Sequence, residues 1–370
     1  MPENIPAPKI ISETQNLWGT GRQTTGCSHC RRVFLTLEKQ VGEDCPLCRQ
    51  GKLTPQPARM RPEPPERLLP FRIGRKNLPG IYSRFMEGVW IAPDDFTPET
   101  LLSRTTPLFW PMWLVDSDIH GHWQMEAGFN YQVESARETF TGGQWRSRKQ
   151  IEQKVRWEPR LGELTYHLDN IPAPALEEHD NRLSLTGGYV LEEAVDFDPQ
   201  RLGSALLEVP DLPPEDAWPL AKPLIDKTAG QVCARAAEAD HFRNAAIKAA
   251  YHNLHWTQLL LPLYVTYYRD DDGQPQILLV NGHTGRISGP RLASRKRGLR
   301  IAGVIGAIAG FLLILALGGL LLTLIFPPAG VIAALLGLLG FALGIGAIVP
   351  AVWPAQWNRK QSQTRIATHR

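Results

Sequence analysis

Three hydrophobic patterns succeed one another along the 370 residues. The first has a period of two. From Trp110, the residues Trp113, Val115, Ser117, Ile119, Gly121 and Trp123 fall on one side of an extended strand, and Asp116, Asp118, His120 and His122 on the other. Phe129, Tyr131 and Val133 continue the alternation, as do Trp145, Ile151, Val155 and Trp157 after Gly142-Gly143. Leu164, Tyr166 and Leu168 follow a turn expected between Pro159 and Gly162. The pattern predicts an antiparallel meander of about four strands with one wet face. Shorter apolar pieces stand before it at 71–73 and 89–91.

The second pattern has a helical period. Pro223 suits the first position of a helix, and Ile225, Ala229, Val232 and Ala236 form its stripe. His241, His252 and His255 are expected near the end of this helical region. Strand patterning then returns in LLLPLYVTYY (259–268), a turn at Asp270 to Gly273, and a return strand over Ile277 to Val280. FWPMWLV (109–115) and LLPLYVT (260–266) echo one another, as a duplicated β unit would.

The third pattern is continuous. From Ile301 to Phe326 there are 26 residues without a charge, then Pro327-Pro328, then a second uncharged run to Trp353. A helix rises about 1.5 Å per residue, so either run can cross a hydrocarbon core of about 30 Å. The prediction is a transmembrane helical hairpin. Arg291, Arg295, Lys296, Arg297 and Arg300 precede it; Arg359, Lys360, Arg365 and Arg370 follow it. The positive-inside rule therefore places both termini in the cytoplasm and only the Pro-Pro turn outside. Trp353 and Trp357 suit the interfacial belt.

Charge changes this picture little. The net formal charge is +3. Because basic residues are concentrated beside the spans, the remainder is near neutral and does not by itself argue for nucleic acid. The N-terminus, MPENIPAPKI, lacks the apolar region of a signal peptide.

The cysteines change it more. Four of the five stand as Cys27-Ser-His-Cys30 and Cys45-Pro-Leu-Cys48, fourteen residues apart. Paired knuckles at this spacing are the signature of a zinc ribbon, in which four thiolates close a tetrahedral site. A closed four-sulfur site is structural, so one structural Zn2+ is expected, with His29 a solvated neighbour. Arg31, Arg32, Lys39, Arg49 and Lys52 give the ribbon a basic surface. TPQPARMRPEPPERLLP (54–70), with six prolines, reads as a semi-rigid spacer between ribbon and body.

Catalytic signals are weak. The row Asp116, Asp118, His120 and His122 points one way at every second position, as the wet face of a half-buried strand does. Cys233 lies beside the helical stripe without the basic neighbours of a reactive thiol. NGHTGR (281–286) lacks the spacing of a phosphate loop.

With these features in place, the chain resembles bacterial membrane-anchored proteins with a TFIIB-type zinc ribbon. The resemblance rests on the two knuckles, on PERLLPFRI (65–73) and PMWLVDSDIHGHWQMEAG (111–128), and on LLLPLYVTYY with VNGHTGRISG (280–289) before two spans. Such proteins are often labelled primosomal-helicase-like, although this chain has no helicase motif. Relatives resemble membrane partners of flotillin-like (SPFH) and phage-shock proteins, which implies a protein partner of that kind in envelope stress.

The sequence thus predicts a multidomain chain. It has a flexible leader (1–26), a zinc ribbon (27–53), a Pro-rich linker (54–70), and a cytoplasmic α+β body with an antiparallel sheet (71–290). A two-helix transmembrane anchor (301–353) and a basic cytoplasmic tail (354–370) complete it. The expected function is a non-enzymatic adaptor that recruits or scaffolds protein partners at the cytoplasmic face of the bacterial inner membrane. The alternative is a nucleic-acid-binding membrane protein acting through the ribbon. A third reading is an enzyme using the Asp/His row. The partner, the oligomeric state and the stimulus are left open by the residues alone.

Overall fold

The fold is given by a computed structural model that describes residues 9–11, 18, 20–60, 64–141 and 144–368. Most of the expected leader, residues 61–63 of the Pro-rich stretch, the Gly142-Gly143 turn and Arg370 lie outside the described residues.

Two strands dominate. β7 (Thr106–Thr141) has 36 residues and β8 (Gln144–Pro174) has 31. They pair antiparallel from Met112 opposite Pro174 to Thr141 opposite Gln144. The predicted four-strand meander is therefore a single long hairpin, and the turn expected between Pro159 and Gly162 is absent. Gly162 is there for packing: a Cβ at this position would lie 2.8 Å from the indole of Trp123. Pro159, Pro172 and Pro174 lie opposite Glu126, Leu114 and Met112, all of one parity on β7. All three therefore face the unpaired side of β8, where a missing N–H costs no ladder bond.

β11 (His241–Arg269) pairs antiparallel with the other edge of β7, from His241 opposite Gly128 to Val265 opposite Thr106. His241, His252 and His255 thus sit on a strand and not at a helix end. The Ala-rich stretch 245–250 favours a helix locally, but pairing with β7 overrides that preference. Asn244 and Asn253, both at positive φ, accompany register shifts in β11. The echoing segments 109–115 and 260–266 turn out to be cross-strand partners, with Trp110 opposite Leu261.

Helix α4 (Pro214–Ala236) covers one face of this sheet. It begins nine residues before Pro223, with Pro214 in its first turn, and carries Pro219 and Pro223 inside. Ala217, Ala221, Ile225, Ala229 and Cys233 form its buried stripe. They pack with Trp113, Ile119, Trp123, Leu164, Leu168 and Trp256. The opposite face is wet from Asp116 to His122, as the alternation predicted, but Trp110, Met112 and Leu114 on that same side are buried in a second core.

Shorter strands extend the sheet. β10 (Leu206–Glu208) runs parallel to β7 at Leu108 and Phe109. Beyond it lie β3 (Val33–Thr36), β2 (Gln23–Cys27) and β4 (Leu53–Pro55), in that order. On the other flank, β12 (Pro275–Asn281) and β13 (Ile287–Ser288) follow β11, while β6 (Arg67–Leu68) pairs with β11 and with β9 (Val195–Asp196). A separate small pair joins β1 (Lys9–Ile11) to β5 (Ala58–Met60).

This order corrects the idea of a ribbon reaching out on a spacer. The knuckle strands belong to the body sheet through β3 and β10. Cys27, Phe34, Cys45 and Leu53 share one core with Leu69, Leu108, Trp110, Leu259 and Leu261. Part of the Pro-rich stretch is itself strand, in β4 and β5.

Short helices α1 (Leu78–Met86) and α2 (Pro98–Ser103) close the end of the body from which the chain leaves. Helix α3 (His179–Thr186) lies near the knuckles. The C-terminal part comprises α5 (Arg295–Leu322), α6 (Ala329–Gly346) and α7 (Ile348–Thr368). Two stretches, 295–322 and 329–361, are long and apolar enough to cross a membrane. They meet through small residues: Gly319 against Ala333, Gly340 against the carbonyl of Ala309, and Gly298 against Pro350.

Candidate metal centre and the joints around it

Cys27 ends β2 and Cys30 follows it in a tight turn; Cys45 and Cys48 form the second turn. The turns are built alike. The N–H of Arg31 donates to the carbonyl of Cys27 (3.1 Å), and that of Arg49 to the carbonyl of Cys45 (2.9 Å). Arg31 and Arg49 both take the left-handed conformation, at φ 62 and 56. The N–H groups of His29 and Cys30 point at Cys27 Sγ, at 3.4 and 3.5 Å.

The four sulfurs lie within 4.8 Å of one another. Cys27 Sγ is 3.5 Å from Cys48 Sγ, and Cys30 Sγ is 3.8 Å from Cys45 Sγ. A tetrahedral ion with metal–sulfur bonds of about 2.3 Å needs sulfur–sulfur edges of about 3.8 Å. The donor set therefore fits a metal ion. Contact with Cys45 pulls the Cys30 thiol down to about 5, while the same contact pushes that of Cys45 up. Among the described residues, this is the one group of His, Cys, Asp and Glu side chains whose ligand atoms converge in this way.

A buried ion cluster joins the knuckles to the body. Arg32, two residues after Cys30, pairs with Glu178 and lies 3.9 Å from Glu208. Arg182 of α3 pairs with both acids, and the Arg182 and Glu208 side chains are each only 2% exposed. Burial alone would pull the Arg182 guanidinium down, but Glu208 and Glu178 hold it above its ordinary value. Arg182 also lies 5.3 Å over the ring of Trp110. Elsewhere, buried Arg22 donates to the carbonyls of Ala205 (2.6 Å) and Gly203 (2.9 Å), and burial lowers it to about 10.

Three of the five ribbon cations have partners within the chain, two of them, Arg32 and Arg49, partly buried and the third, Lys52, exposed. Besides Arg32, Arg49 donates to Tyr267 Oη (3.0 Å) and lies 4.2 Å over its ring. Lys52 sits 3.7 Å from Asp44 and donates to the carbonyl of Gly42. Arg31 and Lys39 are exposed.

The Asp/His row does not converge. Asp118 accepts from Asn253 and contacts His167, each at 2.7 Å, and Asp116 accepts from the N–H of Asn170. His120 faces the ring of His252 at 5.7 Å, and His122 is exposed. Cys233 is buried, and burial pushes its thiol up. In NGHTGR, Asn281 Oδ1 accepts from the N–H groups of His283 and Thr284, which makes the segment an Asn-stabilised turn.

The second joint is between body and apolar helices. Tyr268, fully buried near the end of β11, donates to the carbonyl of Pro290 (3.1 Å) and accepts from the N–H of Leu292 (3.0 Å). Asn358 of α7 accepts from the N–H of Ala293 (2.8 Å) and donates back to its carbonyl (3.0 Å). Trp357 Nε1 donates to the carbonyl of Arg291 (2.6 Å). Trp353 stacks on Trp357 and meets Trp90 edge-on at 5.9 Å. Of the flanking cations, Arg291 donates to the carbonyl of Glu87 and lies 5.4 Å over Phe85. Lys296 pairs with Asp272 and Arg297 with Asp94, both at 3.2 Å. Arg295, Arg300, Arg359 and Lys360 are exposed beside this joint.

No family model, characterised protein or solved structure matches the chain. The site is therefore read from its own geometry. Sequence reasoning missed Arg182, Glu178, Glu208 and Asn358. Glu208 left one trace, a lone acid inside the apolar run of Ala205-Leu-Leu-Glu-Val209.

Proposed function

We propose that this chain is a non-enzymatic scaffold anchored in the bacterial inner membrane, with one structural Zn2+ in the Cys27, Cys30, Cys45 and Cys48 site. Four thiolates leave a tetrahedral ion no open position, so the metal stabilises the fold. The observation that carries the reading is the joint at Tyr268, Ala293, Trp357 and Asn358. It ties the segment that leads into α5, and the end of the second apolar stretch, to the end of β11, so the sheet and its hairpin are held in one fixed relation to the anchor. A free linker would serve a reader of distant targets; a fixed joint serves a platform. The internal use of Arg32 and Arg49 favours protein over nucleic acid as the partner.

In this reading both termini are cytoplasmic and the turn at Pro327-Pro328 faces outward. Accessibility tags at the N-terminus and after Arg370 should report the cytoplasm, and one at Pro328 to Gly330 the outside. Co-purification from detergent-solubilised membranes tests the function. The full chain should bring down a flotillin-like or phage-shock-type protein. Recovery of no protein, together with salt-sensitive DNA binding, would overturn the proposal and favour a nucleic-acid role.

A further inference from the structure

The last thirteen residues of β7, Phe129 to Thr141, form no ladder with β11, which begins opposite Gly128 and reaches this stretch only through the His241–Asn130 side-chain contact. With Gln144 to Trp157 of β8 they form a two-stranded arm roughly 40 Å long at about 3.3 Å per residue. Among the described residues, none of the arm joins a buried core. Tyr131 is 45% exposed, Phe140 60% and Ile151 62%. An isolated two-stranded ribbon is marginal in water, and a third or fourth strand is the usual remedy.

The outer edge of β8 is where such a strand would fit. The three prolines of β8 fix which residues turn their backbone outward: those of the same parity as Pro159, namely Lys149, Ile151, Gln153, Val155 and Trp157. Pro159 ends this edge on the body side, and no proline interrupts it between Gln144 and Glu158. Around Gln153 the edge is self-complementary. An antiparallel copy with Gln153 facing its own mate sets Ile151 opposite Val155, Glu152 opposite Lys154, Gln150 opposite Arg156 and Lys149 opposite Trp157. Each pair occurs twice. Other centres fail on charge. Centring on Glu152 or Lys154 puts like charges face to face. Centring on Val155 sets Lys154 against Arg156 and Glu152 against Glu158.

We propose that the arm is a homodimerisation element: β8 pairs along its outer edge with β8 of a second copy, antiparallel, about a two-fold axis at Gln153. The product is a four-stranded sheet in the order β7-β8-β8-β7, an isologous contact. The inference is independent of which further protein the scaffold recruits.

The test uses the full-length protein in detergent micelles. Under mild oxidation Gln153→Cys should give a disulfide-linked dimer. The wild type should not, and neither should Gln132→Cys, which lies opposite Gln153 on β7 and one strand away from the seam. Glu152→Lys or Lys154→Glu alone places two like-charge pairs in the seam and should weaken dimerisation about tenfold. The double exchange restores both pairs and should return it to within about twofold of wild type. A wild type that stays monomeric, single reversals that dimerise as wild type does, or a double exchange that fails to recover would each overturn the proposal.

Discussion

On β8, Leu164 is buried under α4 while Ile151, on the same strand, is 62% exposed. The same hairpin thus contains two differently built regions. Between Met112 and Gly128 the strands have β11 alongside and α4 on one face. Beyond Gly128 the ladder is that of β7 with β8 alone, joined to β11 only at its root, where Asn130 bonds Asp240 and His241 and Arg243 lies 4.1 Å over Trp157. Even the glycines follow the division. A Cβ at Gly128 would meet Val155 at 2.8 Å and His241 at 3.1 Å, so Gly128 lets three strands close up at the point where the third begins. Strand length here is set by pairing, while stability is set by cover.

The largest way to break the covered region is through the metal. Cys27→Ser should remove the bound ion and unfold more than the knuckles, because Cys27 and Cys45 share a core with Leu108, Trp110 and Leu261. Structural zinc contributes on the order of 10 kcal/mol of folding energy in small modules. Metal analysis and thermal unfolding of the mutant should show loss of metal together with loss of the body's cooperative transition. A body that melts unchanged would mean that the shared core is not a stabilising one.

Charge pairs sharpen the contrast next. Arg182→Ala leaves Glu208 buried without its main partner and should cost about 3–5 kcal/mol. On the arm, Lys154 and Glu152 lie 3.7 Å apart with both side chains about half exposed, and Lys154→Ala should cost about 0–1 kcal/mol to the monomer. Denaturant unfolding of the two mutants measures both. A smaller pair of effects tests apolar burial on a single strand. Leu164→Ala should cost about 2–5 kcal/mol, and Ile151→Ala under about 0.5 kcal/mol in the monomer. Similar losses at both positions would show that the arm has cover of its own.

The two long apolar helices, the knuckle cysteines and the alternating face of β7 were legible because each follows a short-range rule: an uncharged run, a fixed spacing, a period of two. What was not legible depends on distant partners. Pro159 and Gly162 signal a turn locally, yet one needs only a free edge and the other only room for Trp123. The stretch 241–258 is rich in Ala and becomes strand because β7 lies beside it. The prolines of residues 54–70 suggested a free spacer, whereas β3 and β10 bind the knuckles into the sheet. In the site, the four cysteines could be named from sequence. Arg182, Glu178 and Glu208 could not, because 26 residues separate Arg182 from Glu208 and only the fold brings them together.

Hydrogen exchange along β7 separates the covered part of the strand from the bare arm. In full-length Glu152→Lys protein diluted until it is monomeric, amides between Met112 and Gly128 should open only with global unfolding. Those from Phe129 to Phe140 should exchange through local opening, at least about a hundredfold faster. Uniform slow exchange from Met112 to Phe140 in that monomer would contradict the account.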